Sequence, residues 1–329
     1  MRVETLTTLD DLVRLEPAWA ALFGRVPAAA PFASPAWLIP WWRIFAPGRL
    51  ATLAVWEGDA LVALAPLYVE TGPALRRLLP LGIGLSDHMD VLIDPAHAAA
   101  AGQRLAEAIG ATRRDWECWS AEEAAPGAAV LGLPEPYGCA STWADHSASP
   151  VLDLPGSGDT LDAVIPPRKR RKWRMALNRV GRRDWRIAAT TPETLTEDLG
   201  HLFRLHGARW ESRGEAGVLA DARVQAFHAA AAPGLLDAGL LRLWTLRIDG
   251  TVAGAYYGFA RPGAAYAYLG GFDPAFAFES PGTLLVGHAI ESAWQDGAAA
   301  FQFLRGQEAY KYEWGAVDRW TRRRSVVPL

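Results

Sequence analysis

The sequence has little of what marks secreted, membrane-spanning or metal-binding proteins. It has only two cysteines, Cys118 and Cys139, in 329 residues, which excludes a disulfide framework. Its seven histidines show no ligand spacing, so we expect no metal site. No run of about 18 apolar residues is present and the first residues carry mixed charge, so we expect neither a membrane span nor a secretory signal. These absences favour a soluble protein of the cytoplasm.

An excess of one charge is also lacking in the chain as a whole, but not in one segment of it. The 33 basic and 36 acidic side chains nearly balance, so the whole chain is not a nucleic-acid polycation. Residues 168–186 nevertheless hold ten Arg or Lys and a single acid. They predict a basic helix over 168–183, which could bind phosphates or simply be solvated. Because only Trp173 and Trp185 lie between these charges, we do not expect nucleic acid as a partner.

The order of predicted elements is repeated in the two halves of the chain. Residues 50–69 and 240–260 each predict a strand, a Gly-containing turn and a second strand. Each hairpin is followed by a strand ending in Asp-Pro, a helix and a short apolar strand, which predicts an α+β fold with one mixed sheet per half. A stretch rich in Pro and Gly over 150–167 marks the boundary. We therefore expect two domains, 1–150 and 151–329.

One predicted helix begins with residues suited to bind an anion. Ser280 predicts an N-cap, and Pro281 suits the first helical position, where its missing N–H costs nothing. Gly282 and Thr283 leave the backbone N–H groups of the first turn exposed, and the helix dipole favours negative charge there. The alternative is a well-capped helix that binds nothing.

Several runs of residues, with this helix start among them, resemble the CelD-like branch of the GNAT acyltransferases. They are LHGARWESRG (205–214), YLGGFDPAF (268–276), SPGTLL (280–285) and FLRGQEAYKYEWG (303–315). The resemblance is strong over residues 200–329 and weaker over 1–200. The branch is similar to the Fem-type aminoacyltransferases, so the resemblance implies tandem GNAT-like folds. The chain departs from the family at Gln302 and Gln307, where acids are more usual, so neither position can supply the base.

The resemblance also implies where an acyl donor binds. In GNAT folds the pyrophosphate of acyl-CoA lies on such a helix start, and a backbone N–H of the preceding strand meets the oxyanion. The residues implied in donor binding are Gly270, Gly271, Phe272, Ser280, Pro281, Gly282, Thr283 and Leu284. The first half has Asp94-Pro95-Ala96-His97 at its turn, and an acid there would repel phosphate. We therefore expect the donor in the second half.

Charged residues near the closing strand are candidates for the base. Glu308 is the first candidate, because it follows this strand on a loop at the functional edge of the sheet. The alternative is an ion pair between Glu308 and Arg305 or Lys311. Asp273 is the second candidate base, although an Asp-Pro after a strand often only forms a turn. Arg305 and Lys311 could bind an anionic group of donor or acceptor.

Three further residues are candidates for the acid and for the acceptor cleft. Tyr310 could return a proton to the leaving thiolate, as a phenol does in many GNAT enzymes, or could instead pack with neighbouring aromatic rings. His206 and Arg209 share one face of a predicted helix and could line the acceptor cleft. The alternative is that Trp210, on the same helix, packs in the core and His206 is its hydrogen-bonded neighbour.

The leading hypothesis is a cytoplasmic N-acyltransferase, most simply an N-acetyltransferase. It would use acetyl-CoA or another acyl-CoA, without a metal, and an acceptor amine would attack the thioester directly. The tandem architecture and the basic segment leave open a Fem-like transferase that takes an aminoacyl group from tRNA to a peptide or cell-wall precursor. A non-catalytic binding protein with the same fold is the third alternative.

Overall fold

The chain divides into two compact units. The computed structural model describes residues 1–72, 75–156, 158–211 and 214–329. Unit 1 comprises residues 1–148 and 319–329, and unit 2 comprises residues 149–318. The sequence places 151–329 in the second domain, whereas in the structure the segment 319–329 belongs to unit 1.

The elements of the two units follow one another along the chain. The first part of the chain forms β1 (Arg2–Leu6), α1 (Leu9–Arg25), α2 (Pro35–Phe45), β2 (Arg49–Leu50), β3 (Thr52–Glu57), β4 (Ala60–Ala65), β5 (Leu67–Thr71), β6 (Arg76–Pro80), β7 (Leu92–Ile93), α3 (Ala98–Ala111), β8 (Cys118–Ala124), α4 (Ala129–Gly132) and β9 (Cys139–Asp153). The remainder forms α5 (Pro167–Val180), β10 (Trp185–Ala189), α6 (Leu195–Glu211), α7 (Ala222–Asp237), β11 (Leu241–Ile248), β12 (Thr251–Arg261), β13 (Ala264–Phe272), α8 (Pro281–Gln295), β14 (Ala300–Gln302), α9 (Ala309–Glu313) and β15 (Val317–Pro328).

Unit 1 is built around an antiparallel sheet with strand order β1-β3-β4-β7. The helix α3 packs on β3 and β4 through Leu105 and Ile109, which are buried because they recur at helical spacing. The remaining strands of unit 1 pair beside one another, and β15 is antiparallel to β8 from Arg322 to Val326. This pairing is the reason why the segment 319–329 belongs to unit 1.

Unit 2 is built around the strand order β10-β11-β12-β13-β14. The first four strands are antiparallel, and β14 then runs parallel to the start of β13. The helices α6 and α8 pack on β12 and β13, and α5 packs on α8. The core includes Leu246, Ile290 and Phe301, all fully buried. This sheet and the helices on it position the candidate site.

The two units share one order of elements. In unit 1, apart from β2, β5 and β6, the order is β1, α1, α2, β3, β4, β7, α3 and β8. In unit 2 it is β10, α6, α7, β11, β12, β13, α8 and β14. Each unit therefore has a strand, two helices, three antiparallel strands, a helix and a strand. The predicted mixed fold of helices and strands is confirmed.

Candidate functional site

At its carboxyl end, β13 has a free edge, with which no strand in the described part of the chain pairs. β14 pairs with residues 264–266 of β13, which continues to Phe272. Next along the chain, the N–H of Asp273 donates to the carbonyl of Ala253 on β12 at 2.9 Å. Because successive N–H groups of a strand point in opposite directions, those of Gly270 and Phe272 point away from β12. They point to the side of β13 on which β14 pairs earlier in the strand, beyond the last paired residue, Tyr266.

Glycines let the helices approach the sheet closely at this end. A Cβ on Gly271 would lie 2.3 Å from the backbone nitrogen of His206 on α6. A Cβ on Gly254 of β12 would lie 2.8 Å from the Leu285 side chain on α8. Both approaches are possible only because glycine has no side chain. The packing of α6 on the sheet therefore requires glycine at position 271. Gly270 is less crowded, since its Cβ would lie 3.3 Å from the nearest atom, a carbonyl oxygen.

The helix α8 begins with an unpaired backbone donor. Ser280 occupies the N-cap position as predicted, but its backbone is left-handed, with φ of 59°, and its side chain makes no capping hydrogen bond. The N–H groups of Thr283 and Leu284 donate to the Ser280 carbonyl at 2.9 and 3.2 Å. Pro281 has no N–H, and no described residue accepts from the N–H of Gly282. An anion at this helix start would meet that donor and the positive end of the dipole.

Arginines of the basic helix α5 and of the turn after it hold the turn that precedes α8. Arg179 donates from Nη1 to the carbonyl of Phe278 at 2.8 Å. Arg183 pairs with the buried Glu279 carboxylate at 2.6 Å and also binds Asp249. Part of the positive charge predicted over 168–183 is therefore used within unit 2. Arg183 also counters an acid that would otherwise oppose an anion at the helix start.

One pocket of about 530 Å³ in unit 2 joins the free edge of β13 to the start of α8. The predicted site residues that line it are His206, Arg209, Gly270, Gly271, Phe272, Ser280, Pro281, Gly282, Thr283, Glu308 and Tyr310. Several lining residues were not predicted, among them Lys169, Trp210, Tyr256, Tyr268 and Trp314. Aromatic rings and small residues make up much of the wall.

Four predicted site residues do not line this pocket. Asp273 instead accepts a hydrogen bond from the N–H of Ala275 at 2.9 Å, as a turn-forming Asp does. Leu284 is buried in the core of unit 2. Arg305 is exposed on its loop. The fourth residue, Lys311, has a different set of partners from those that the sequence predicts.

Lys311 holds the loop beside the pocket together. Its side chain is 3% exposed, and Nζ donates to the carbonyls of Leu304, Arg305 and Gly306 at 3.1, 2.8 and 3.0 Å. It also pairs with Glu308 Oε2 at 2.9 Å. A lysine bound in this way is not available to a substrate anion, because its donors are already engaged. For Glu308, the ion pair left open by the sequence is present, and the carboxylate still lines the pocket.

Tyr310 and His206 are both neutral at ordinary pH. Burial and the nearby Glu308 carboxylate raise the pKa of Tyr310 to about 12, so its phenol keeps the proton that an acid must donate. His206 is 2% exposed, and burial together with Arg209 lowers its pKa to about 4. Its Nε2 accepts a hydrogen bond from the Trp210 indole at 2.9 Å. Because that nitrogen is occupied, it is poorly placed to serve as a base.

Arg209 reaches the free edge of β13 from α6. Its Nη1 lies 3.4 Å from the carbonyl oxygen of Gly270, and its guanidinium carbon lies 5.5 Å from the centroid of the Phe272 ring. The guanidinium thus brings positive charge to the edge where the N–H groups of β13 are free.

A family model covers the residues that build this site. Residues 167–312 match the acetyltransferase (GNAT) domain. This part of the chain belongs to the GNAT superfamily. The matched range contains the residues named above as lining the pocket, from Lys169 on α5 to Tyr310 on α9, with the exception of Trp314.

Solved structures share the fold over nearly the whole chain. FemX matches with a TM-score of 0.68 and 11% identity, over 98% of this chain and 97% of FemX. A conserved protein of unknown function from Bacteroides thetaiotaomicron matches with a TM-score of 0.59 and 13% identity, over 99% of this chain and 100% of that protein. The C-terminal domain of a putative lysylphosphatidylglycerol synthetase from Agrobacterium fabrum matches with a TM-score of 0.56 and 12% identity, over 97% of this chain and 92% of that domain. No curated protein sequence gave a significant match.

Two other features are absent from the described part of the chain. There, no group of three or more His, Cys, Asp or Glu side chains is placed to hold a metal ion. Nor does that part contain a helix of the length and apolar character that a membrane span requires.

The spacing of the buried residues along α5 shows that Lys169 belongs to the buried face of this helix. Lys169, Ala176 and Val180 form the buried face of this helix, at intervals of seven and four residues. A lysine on the apolar stripe of an otherwise basic helix differs from its solvated neighbours. In the sequence this signal is hidden, because the charges of Arg168, Arg170 and the residues after them dominate the segment.

Proposed function

We propose that unit 2 is an acyl-CoA-dependent N-acyltransferase domain in which an acceptor amine attacks the thioester directly. The observation that carries this proposal is the single pocket shared by the free edge of β13 and the start of α8. The N–H groups of Gly270 and Phe272 would meet the thioester oxygen. The N–H of Gly282 and the helix dipole would meet the pyrophosphate. Acetyl-CoA is the simplest donor for this arrangement.

The reaction then needs one proton acceptor and one proton donor. The amine nitrogen forms a bond to the thioester carbon, and the oxyanion is stabilised by the backbone N–H groups of β13. Glu308 accepts the proton that the nitrogen loses. The carbon–sulfur bond breaks as the carbonyl re-forms, and Tyr310 donates its proton to the departing thiolate. Arg209 adds positive charge beside the oxyanion.

Calorimetry with acetyl-CoA, longer acyl-CoAs and free CoA tests the donor site. We expect micromolar binding to the whole chain, and at least about 100-fold weaker binding to Gly282→Asp, because its carboxylate would lie beside the phosphates at the helix start. Gly200→Asp is the matched control, since Gly200 is exposed on α6 and a Cβ there meets no atom within 4 Å. Absence of binding to every acyl-CoA would contradict the proposal.

A second candidate function is a Fem-like transferase that uses aminoacyl-tRNA. The observation in its favour is the exposed side of α5 and of the turn that follows it. Four arginines lie there: Arg168, Arg171, Arg174 and Arg182. Binding of tRNA through these phosphate contacts should weaken steeply as salt is raised, and should weaken again when the arginines are replaced by glutamine. Binding that is absent or insensitive to salt would exclude this function.

A further inference from the structure

Two buried lysines in the described part of unit 2 have very different surroundings. Lys311 donates to three carbonyls and pairs with Glu308, so its ammonium is fully engaged. Lys169 has a side chain that is 5% exposed, and its one acceptor among the described residues is Glu313, at 3.3 Å. An ammonium has three N–H donors, so most of the hydrogen-bonding capacity of Lys169 is unused.

Glu313 is a shared and exposed counter-ion. Its Oε1 binds Lys172 at 2.9 Å, while its Oε2 is the atom that faces Lys169. A second neighbour of the Lys169 ammonium is the ring of Trp314, whose centroid lies 4.5 Å from Nζ. A ring face attracts a cation but accepts no conventional hydrogen bond. The ammonium is therefore buried with less compensation than its charge requires.

The fold has no evident need for a charge at this position. Lys169 lies in the first turn of α5, where the helix dipole disfavours a cation. Burial lowers the pKa of Lys169, which shows the cost of removing its charge from water. An apolar side chain of similar volume at a buried, weakly paired site is often no less stabilising. The charge is more readily explained by a ligand than by the packing of α5.

The pocket that Lys169 lines has an excess of positive charge. Arg209 supplies a second cation, and the one acid among the lining residues, Glu308, is already paired with Lys311. Two aromatic rings of the wall, those of Trp314 and Phe272, have the chain's own cations over them. A positively charged group of a ligand would therefore meet repulsion here, whereas an anionic group would complete the partners of Lys169.

We propose that Lys169 binds an anionic group of the acyl donor inside this pocket. The group is either a phosphate of the nucleotide part or a carboxylate carried by the acyl chain, since both offer charged oxygens to an ammonium. The identification of the ligand as an acyl donor rests on the function proposed above. The binding of an anion by Lys169 does not, and can be tested with simple ions.

Calorimetry on Lys169→Met and on Lys172→Met measures the effect. Lys172 shares the Glu313 partner but is exposed and does not line the pocket, so it is the matched control. If the anion is a phosphate, Lys169→Met should bind CoA about 10- to 100-fold more weakly than the unaltered chain and should bind pantetheine equally well. If it is a carboxylate, the loss should appear with succinyl-CoA and not with acetyl-CoA. Lys172→Met should stay within about twofold throughout.

Thermal melts with pyrophosphate and with succinate separate this proposal from the function itself. If no CoA compound binds the unaltered chain, the acyltransferase proposal fails. The Lys169 proposal still stands if either ion raises the melting temperature of the unaltered chain and of Lys172→Met, but not that of Lys169→Met. Equal responses in all three proteins, or none, would overturn it. So would a Lys169→Met protein that binds every CoA compound normally and is only less stable.

Discussion

The two units use the same order of elements, but the turns after their Asp-Pro pairs differ. Asp94 in unit 1 and Asp273 in unit 2 each accept a hydrogen bond from the N–H two residues later, at 3.0 and 2.9 Å. In unit 1 the next helix begins almost at once, with Ala98. In unit 2 residues 277–280 come first, and they bring the start of α8 to the pocket. A short insertion of this kind distinguishes the turn of unit 1 from the turn of unit 2 at which we propose that the donor binds.

The strands before these turns differ as well. β7 has two residues, Leu92 and Ile93, whereas β13 has nine and extends past its pairing with β14. In unit 1 the Asp94 carboxylate is bound by Arg25 at 2.7 Å, so its charge is used within the fold. The same framework thus serves packing in one unit and offers free backbone donors in the other. If this comparison is right, substitutions in unit 1 should change stability and those in the unit 2 pocket should change binding or rate.

The largest effect is expected at Arg324 in unit 1. This guanidinium is 1% exposed and donates to the carbonyls of Val130, Leu133 and Pro134 and to the Ser141 hydroxyl. Arg324→Met would leave those acceptors without a donor, so we expect the free energy of unfolding to fall by about 4 kcal/mol. Urea unfolding measures this loss, and calorimetry should show unchanged acyl-CoA affinity for the folded protein.

Arg322 provides the control on the same strand. Its side chain is 49% exposed and lies 3.8 Å from Asp145. Arg322→Met should therefore change the free energy of unfolding by no more than about 0.5 kcal/mol. Equal losses in the two variants would show that the buried contacts of Arg324 are not what stabilises unit 1.

The next effect is expected at Gly271, where unit 2 depends on close packing. The Cβ of Gly271→Ala would lie 2.3 Å from the backbone nitrogen of His206, so α6 must move. We expect a loss of about 3 kcal/mol in the free energy of unfolding, together with weaker donor binding. Gly207→Ala on the same helix meets no atom within 4 Å and should instead stabilise by about 0.5–1 kcal/mol. Urea unfolding followed by tryptophan fluorescence compares the two.

Acid should destabilise unit 2 more than unit 1. Burial lowers the pKa of His206 to about 4 and that of His228 to about 3, from 6.5. As pH falls, a histidine of the unfolded chain binds a proton near pH 6.5, whereas the buried histidine of the folded chain does so only near pH 4 or below. The folded state therefore keeps its full stability above pH 6.5 and loses it as pH falls toward 4. The expected loss in the free energy of unfolding is about 2 kcal/mol per histidine at pH 5. In unit 1, burial lowers the pKa of His88 to about 4, so this histidine also makes the folded state less stable as pH falls. Asp90 opposes it, because burial raises the pKa of that carboxyl to about 6 and the folded state then takes up the proton first.

Hydrogen exchange at pH 7 and pH 5, resolved for each unit and corrected for intrinsic rates, checks this difference. Protection in unit 2 should fall further than protection in unit 1. His228→Phe should reduce the pH dependence of unit 2, because one of its two buried histidines is removed. Equal losses in the two units would contradict the assignment.

The smallest effect is expected at Tyr310. Tyr310→Phe removes the proton donor proposed for the thiolate, so we expect kcat to fall about tenfold with little change in donor affinity. Because the pKa of Tyr310 is about 12, the rate should show no loss from phenol ionisation up to pH 10. Tyr312→Phe is the control, since its hydroxyl donates to Asp318 at 2.7 Å and does not line the pocket. An unchanged rate in Tyr310→Phe would remove this residue from the mechanism.

Much of the fold and part of the site can be predicted from the sequence. The hairpins, the helix from Pro281 and the mixed sheet depend on local periodicity and turn residues, which a sequence displays directly. The pocket residues on β13 and α8 follow from the resemblance to the GNAT family, because a shared backbone brings them together.

The two lysines show what the sequence cannot convey. Lys311 follows the loop 303–308, and from the sequence it is a candidate for binding an anionic group of donor or acceptor. In the structure that loop turns its own carbonyls onto the ammonium, with left-handed backbone at Leu304 and Gly306. Lys169 is hidden among solvated charges because its burial depends on tertiary contacts, among them those with Glu313 and Trp314. In both cases tertiary contacts, and not residue type, determine the partner of the charge.

The strand β15 has a consequence for how the protein is made. Unit 1 needs residues 319–328 beside β8, whereas all of unit 2 lies earlier in the chain, within 149–318. A ribosome therefore makes every residue of unit 2 before it makes the strand that completes unit 1. The unit that begins second is thus the first to be synthesised in full. A premature stop after residue 318 would leave unit 1 incomplete and the pocket-bearing unit whole.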